Sequence, residues 1–336
     1  MAHETRDTKN AEDLVDITFV GGGPVGLYGA FYAGMQGLSA RIIEALPQLG
    51  GQLTALYPEK HIYDVGGFPK VMAKDLAAKL IEQSQRFNPI VCLNERVLDL
   101  IQTPSGEFCL RTTRGDRYSK TVVLTAGIGA FEPKRLDVPG VLELEGRGVY
   151  YTVLNLSDFA DKSVLIVGGG DSAVDWALEL EPIARRVTLI HRRKAFRAHQ
   201  TSVDKMMDSR VDVKVHYELR RIEGEDRVEG AVIYDNRDDT EEAIGVDAVV
   251  LALGFTPDLG PIHDWGIEME GDEIPVDQTG ATNIRGVFAA GDIVTYPGKL
   301  KLIASGFGEV ATAVGQAKRL ISPDARIHIH SSNLKI

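Results

Sequence analysis

Cysteine is almost absent: of 336 residues only Cys92 and Cys109 carry thiols. They stand far apart, each inside a strand-like run (Ile90-Val91-Cys92-Leu93 and Phe108-Cys109-Leu110-Arg111), so they form neither a disulfide framework nor a Cys-x-x-Cys pair. Buried, inert thiols are expected. Long apolar runs are missing too. No uncharged stretch approaches the roughly twenty residues of a membrane helix, and Met1–Asn10 has no apolar segment, so a cytoplasmic protein without a membrane span is expected. Positive charge is in deficit, with a formal net charge of -11, which opposes a nucleic-acid-binding role. Metal-ligand spacing is lacking among His61, His191, His199, His216 and His263, and no metal site is expected.

What the chain has is glycine, 35 residues, and two Gly-rich loops of one plan: Gly21-Gly22-Gly23-Pro24-Val25-Gly26 and Gly168-Gly169-Gly170-Asp171-Ser172-Ala173. Gly-rich turns also occur for plain structural reasons. Here each follows a buried-strand pattern (Asp16–Val20; Ser163–Val167) and precedes a helical one, the context in which backbone N–H groups at a helix start face a pyrophosphate. About twenty residues on, the loops diverge. The first leads to Glu44, a carboxylate placed to accept from a ribose hydroxyl pair. The second leads to His191-Arg192-Arg193, with Lys194 and Arg197 behind. A carboxylate repels a 2′-phosphate, whereas guanidiniums grip one with paired, charge-assisted hydrogen bonds. A solvated basic corner is the plainer reading of the arginines. Two different dinucleotides are expected: NADP(H) at the second loop and, most economically, FAD at the first.

The plan around each loop repeats. Strand, loop, helix and strand fill roughly 14–44, a β-rich excursion follows at about 90–125, and Thr121–Gly127 returns to the first sheet. After the second loop come the basic strand end, an excursion over about 211–246 and Ala248–Gly254. No third fingerprint appears beyond Pro257, so that part completes the first domain. The expected fold is α/β, with two Rossmann-like three-layer dinucleotide-binding domains, one inserted in the other. Residues 1–13 read as a disordered extension, 14–127 and 258–336 as the FAD-binding domain, and 128–257 as the NADP(H)-binding domain. Gly and Pro at both crossings serve as turn formers or as a hinge. A last helix is expected over roughly Gly306–Leu320.

In order along nearly the whole chain, Gly21–Gly26, Glu44, Gly50-Gly51-Gln52-Leu53-Thr54, Ala126-Gly127, Gly146-Arg147-Gly148-Val149, Gly168–Ala173, His191-Arg192-Arg193 and Val287-Phe288-Ala289-Ala290-Gly291-Asp292 resemble the low-molecular-weight thioredoxin reductase family. The resemblance is closer to its ferredoxin–NADP+ reductase branch. Thioredoxin reductases carry Cys-x-x-Cys after Gly-Arg-Gly-Val, where this chain has Thr152 and Asn155, and without a dithiol no thiolate relays electrons to a disulfide. A related disulfide reductase branch has a Cys where Val25 stands here.

The resemblance implies FAD contacts from Gly21, Gly23, Pro24 and Gly26 at the pyrophosphate, Glu44 at the ribose, and Gln52 and Asp292 along the flavin chain and ring edge. It adds Val97 and Phe131 as packing or backbone contacts, Tyr57 stacked on one flavin face, and His330 and Ser332 of the C-terminal tail on the other. For NADP(H) it implies Gly168, Gly170, Asp171, Ser172 and Ala173 at the pyrophosphate, and Arg192, Arg193 and Arg197 at the 2′-phosphate. No side-chain base or nucleophile is expected, because the chemistry is flavin-centred. The activity implied is NADPH-dependent ferredoxin or flavodoxin reduction by a homodimer. An NADPH oxidase or quinone reductase, a disulfide reductase and a non-catalytic NADP(H) sensor are the alternatives. Since ferredoxins are acidic, docking on a chain of net charge -11 calls for a local basic face, with Lys299 and Lys301 or Arg192–Arg197 as candidates.

Overall fold

The computed structural model describes residues 13–325, which divide into two compact units: 13–55, 61–130 and 257–325 in the first, Leu56–Lys60 and Phe131–Thr256 in the second. His330 and Ser332, with residues 1–12, lie outside the described residues.

In the first unit Leu14–Val20 is buried over its last four residues, as befits a parallel strand covered on both faces. The sheet runs in the order Ile90–Cys92, Ala40–Ile43, Leu14–Val20, Gly115–Leu124, Phe108–Thr112, Val97–Gln102. The ten-residue strand Gly115–Leu124 joins two patterns. Its start hairpins with Phe108–Thr112, while its end, Val122–Leu124, lies parallel to Val287–Ala289. The glycine-loop helix is Pro24–Met35. The last helix is Ile303–Ile321, one turn longer at its start than expected, because Gly306 sits within the first turn and not at the cap. Cys109 is buried and Cys92 half-buried, both free, and burial pushes both thiols up, as expected for inert sulfur.

The second unit has a five-stranded parallel sheet, in the order Val149–Tyr150, Ala248–Leu251, Ser163–Val167, Arg186–His191, Asp212–Val215. Its glycine-loop helix is Asp171–Leu180. The second excursion is the antiparallel sheet Tyr217–Glu223, Gly230–Asp235, Glu241–Gly245. The chain leaves the first unit after Ala130 and re-enters it at Pro257, and the strands at these crossings, Ala130–Pro133 and Phe255–Asp258, pair with each other.

One buried charge anchors the first sheet. Arg41, inside the strand Ala40–Ile43 and 0% exposed, donates from Nη2 to the Asp13 carboxylate at 2.6 Å and to the Asp13 carbonyl at 2.8 Å, and from Nη1 to the Tyr118 carbonyl at 3.2 Å. Asp13, the last residue of the expected extension, is thus part of the fold. Removing one partner leaves a buried guanidinium uncompensated. Asp13→Ala should destabilise the first unit by about 1–3 kcal/mol, discounted for the partly exposed carboxylate. The check is a lowered urea midpoint with an unchanged m-value; an unaltered midpoint would mean that Arg41 finds another partner.

Candidate dinucleotide sites

The first site is built by backbone crowding. Gly21 sits at φ +111, and a Cβ there would lie 2.5 Å from the Thr125 carbonyl oxygen; one on Gly26 would lie 2.0 Å from the Gly21 carbonyl oxygen. The Thr125 hydroxyl donates to that Gly21 carbonyl at 2.9 Å, a clamp on the loop that no spacing signals. The turn Gly50-Gly51 folds back: Gly50 N–H donates to the Gly22 carbonyl at 2.9 Å, and a Cβ on Gly51 would lie 2.9 Å from the Gly23 Cα. Behind this cradle, Pro24–Met35 starts at Gly23 with no side-chain cap and no acid in its first turn. Uncapped N–H groups and the positive end of the helix dipole suit a pyrophosphate.

Glu44 is where the sequence expects it, at the end of the second strand and 7% exposed. Its Oε2 accepts from Gly22 N–H at 2.7 Å and its Oε1 from Leu46 N–H at 2.8 Å. Burial pushes the carboxyl up, while the backbone N–H groups of Leu46, Gly22 and Ala45 pull it down. Gln52 begins a short helix with its amide beside Gly127. Asp292 follows Gly291; burial pushes its carboxyl up, with Lys299 and Lys301 opposing, and among the described residues no donor hydrogen-bonds it. A half-buried acceptor without a protein donor fits a polyhydroxyl chain such as that of FAD. Val97 is buried at the start of its strand, and Phe131 lies on the strand Ala130–Pro133.

In the second unit Gly168 sits at φ +157, where a Cβ would lie 2.4 Å from the Ala252 carbonyl oxygen, and Ala173 is fully buried beneath it. Gly170 caps Asp171–Leu180 with nothing within 4 Å of its would-be Cβ, so no neighbour in the chain requires glycine there. The backbone there is open to a ligand's close approach. Asp171 is turned to the His199 N–H at 2.8 Å. The strand end closes over the loop. The His191 ring fills the space beside Gly169, contacts Phe196, and is held neutral by burial and by Arg192, Arg193 and Arg197, while Arg197 N–H donates to the Gly169 carbonyl at 2.8 Å.

The arginines of this strand end differ from others of the same unit. Arg185 pairs with Asp247, Arg186 with Asp212 and Arg210 with Glu181, whereas Arg192, Arg193 and Arg197 are exposed and none of them forms an ion pair among the described residues. Exposed guanidiniums without an ion pair are the chemistry that a phosphate group needs.

Three findings were not legible in the sequence. Leu56–Lys60 belongs to the second unit: Tyr57 packs against the core cluster containing Trp176, and Lys60 Nζ lies 2.8 Å from Asp175 and 5.3 Å above the Trp176 ring. Thr152 and Asn155 are occupied by backbone, with the Thr152 hydroxyl donating to the Leu56 carbonyl and the Asn155 side-chain oxygen Oδ1 accepting from Ser157 N–H at 3.2 Å. Lys299 is 6% exposed and ion-paired with Glu309, and Lys301 pairs with Glu273. Lys299 therefore offers no free charge to a docking partner, because its ammonium is neutralised inside the fold.

Residues 8–317 match the family model for pyridine nucleotide-disulphide oxidoreductases. The chain is 52% identical over 328 residues to a ferredoxin–NADP reductase of Thermus thermophilus, covering 96% of this chain and 98% of that protein. It is 54% identical over 327 residues to one of Symbiobacterium thermophilum, covering 96% and 97%. Its fold resembles the crystal structure of thioredoxin reductase from T. acidophilum, with a TM-score of 0.78 and 25% identity over 92% of this chain and 99% of that one. The chain belongs to the pyridine nucleotide-disulphide oxidoreductase family, on its thioredoxin-reductase-like branch, and FAD and NADP(H) are its cofactors.

Proposed function

We propose that the chain is a cytoplasmic, homodimeric NADPH-dependent reductase that passes electrons from NADPH through FAD singly to ferredoxin or flavodoxin. The observation that carries the reading is the pair of intact dinucleotide loops without a thiol relay: Thr152 and Asn155 are committed to backbone, and Cys92 and Cys109 are strand residues of the first unit. The relatives named ferredoxin–NADP reductase support the acceptor. The flavin, when bound, supplies the conversion of a hydride into single electrons. The chain's residues hold the two dinucleotides. Gly21, Gly23, Pro24 and Gly26 bring backbone to the FAD pyrophosphate, Glu44 holds its ribose, and Gln52 and Asp292 hold the flavin chain. Gly168, Gly170, Ser172 and Ala173 do the same for NADP(H), and Arg192, Arg193 and Arg197 take the 2′-phosphate. Val97, His330 and Ser332 complete the reading as flavin contacts, and Asp171 as an NADP contact.

The direct test is NADPH-driven cytochrome c reduction with and without ferredoxin, beside a thioredoxin and insulin-disulfide assay. Strong ferredoxin dependence with no disulfide turnover is expected. Equal rates without ferredoxin would make the chain a quinone-type reductase, and thioredoxin turnover would contradict the reading of Thr152 and Asn155.

Arg192→Ala with Arg193→Ala should lower the NADPH over NADH ratio of kcat/KM by roughly tenfold to a thousandfold, the loss of one or two charged hydrogen bonds. An unchanged ratio would remove these arginines from the 2′-phosphate site.

Acid should release FAD early. The raised pKa of Glu44 means that its carboxylate protonates sooner as pH falls, so the ionised acceptor is present above that pKa and lost below it. For the bare fold the sign is opposite, since ionising this buried group costs stability as pH rises. FAD loss, followed by flavin fluorescence, should begin above the ordinary glutamate range, and Glu44→Gln should remove that step. Persistence of the step in Glu44→Gln would assign it to another group, Asp292 first, whose carboxyl is also pushed up by burial.

A further inference from the structure

The loop from Gly291 to Lys299 closes on a single carboxylate. Glu309, in the second turn of Ile303–Ile321, accepts the Gly291 N–H on Oε2 at 2.8 Å and takes both the Tyr296 hydroxyl, at 2.6 Å, and the Lys299 ammonium, at 2.5 Å, on Oε1. The carboxylate pushes the Tyr296 hydroxyl up to about 12, so the tyrosine stays a donor. The pair is largely out of water, with side chains 6% and 14% exposed. Desolvation cancels much of the attraction within such a pair, and an apolar pair of similar size joins a loop to a helix as well. Packing alone does not account for the charges.

Their position does. Gly291, at φ +89, leaves 3.2 Å between a would-be Cβ and Val25 of the first glycine loop; Gly306 leaves 2.5 Å to Val25 and 3.3 Å to the Gly291 Cα. The glycine loop, the Gly291-Asp292 turn and the uncapped start of Ile303–Ile321 therefore converge, and the Asp292 carboxylate stands there without a hydrogen-bond donor among the described residues.

We infer that Glu309 and Lys299 are positioning residues for the flavin half of FAD: Glu309 clasps Gly291 and so aims Asp292, and the balance of the Lys299–Glu309 pair sets the charge felt by the flavin and with it the reduction potential. The inference rests on the FAD reading of the first site. Added negative charge disfavours electron uptake and added positive charge favours it. Lys299→Met leaves Glu309 unbalanced, and Glu309→Gln leaves Lys299 unbalanced, both at nearly constant volume.

The experiment is a spectroelectrochemical titration of the FAD-loaded wild type, Lys299→Met, Glu309→Gln and the double variant. Lys299→Met should shift the midpoint negative, Glu309→Gln positive, and the double variant should return towards wild type. Single variants shifted in the same direction, or not at all, would overturn the charge role, since a purely structural pair has no sign. Glu309→Ala, which removes the acceptor for Gly291, should weaken FAD binding by about tenfold or more, whereas Glu309→Gln, which keeps it, should retain FAD. Equal FAD affinity in Glu309→Ala and wild type would overturn the clasp. If Glu309→Ala does not fold, the two size-conserving variants carry the test. A wild-type chain that takes up no flavin would instead overturn the FAD reading itself.

Discussion

A backbone carbonyl pressed against a glycine is the contact on which both halves of this molecule depend. In the first unit the oxygen is that of Thr125, 2.5 Å from a would-be Cβ on Gly21; in the second it is that of Ala252, 2.4 Å from one on Gly168. Each oxygen follows the apolar end of a strand beside the one that feeds its loop, Gly115–Leu124 and Ala248–Leu251. Any side chain at either glycine drives loop and strand apart, and with them the helix start whose free N–H groups suit a phosphate. The duplicated plan is thus a duplicated steric constraint. Its last position tolerates a methyl group only in the second loop, where Ala173 is buried without clash, whereas Gly26 has the Gly21 carbonyl against it.

On this common frame the two sites are told apart by charge. Glu44 is buried, fixed by two backbone donors, and presents a carboxylate to one loop. Arg192, Arg193 and Arg197 stand exposed after the strand end at the other, while Arg185, Arg186 and Arg210 of the same unit are ion-paired with acids. Leaving three guanidiniums without an ion pair costs a chain of net charge -11 nothing in long-range repulsion, and it keeps them available to the phosphate proposed for them. The His191 ring, kept neutral and packed on Gly169, couples those arginines to the pyrophosphate loop, because one strand end carries both.

The loops, Glu44 and the arginines were legible because each signal is local: strand, glycines, helix and a charged residue about twenty positions on. The excursions were legible from alternating short runs and turn residues. The contacts that were missed join residues by folding alone. Lys60 meets Asp175 across 115 positions, which carries Leu56–Lys60 into the second unit, and nothing in the run Tyr57-Pro58-Glu59-Lys60 signals it. Glu309 reaches back 18 positions to Gly291. Lys299 resembles a surface cation in sequence because most lysines are; a carboxylate ten residues on buries it. The start of the last helix was placed late because Gly306 looked like a boundary, although its missing side chain makes room for Val25.

That two loops of one plan hold two different dinucleotides, sorted by charge, is tested most directly by competition with adenosine 2′,5′-bisphosphate. The compound carries the phosphate that the arginines are argued to grip and lacks both the nicotinamide and the flavin. It should displace NADP+ from the flavin-loaded protein, progressively less well as salt screens the exposed guanidiniums, and leave the bound FAD in place. Release of FAD by the same compound, or failure to compete with NADP+ at low salt, would contradict the assignment of the two sites.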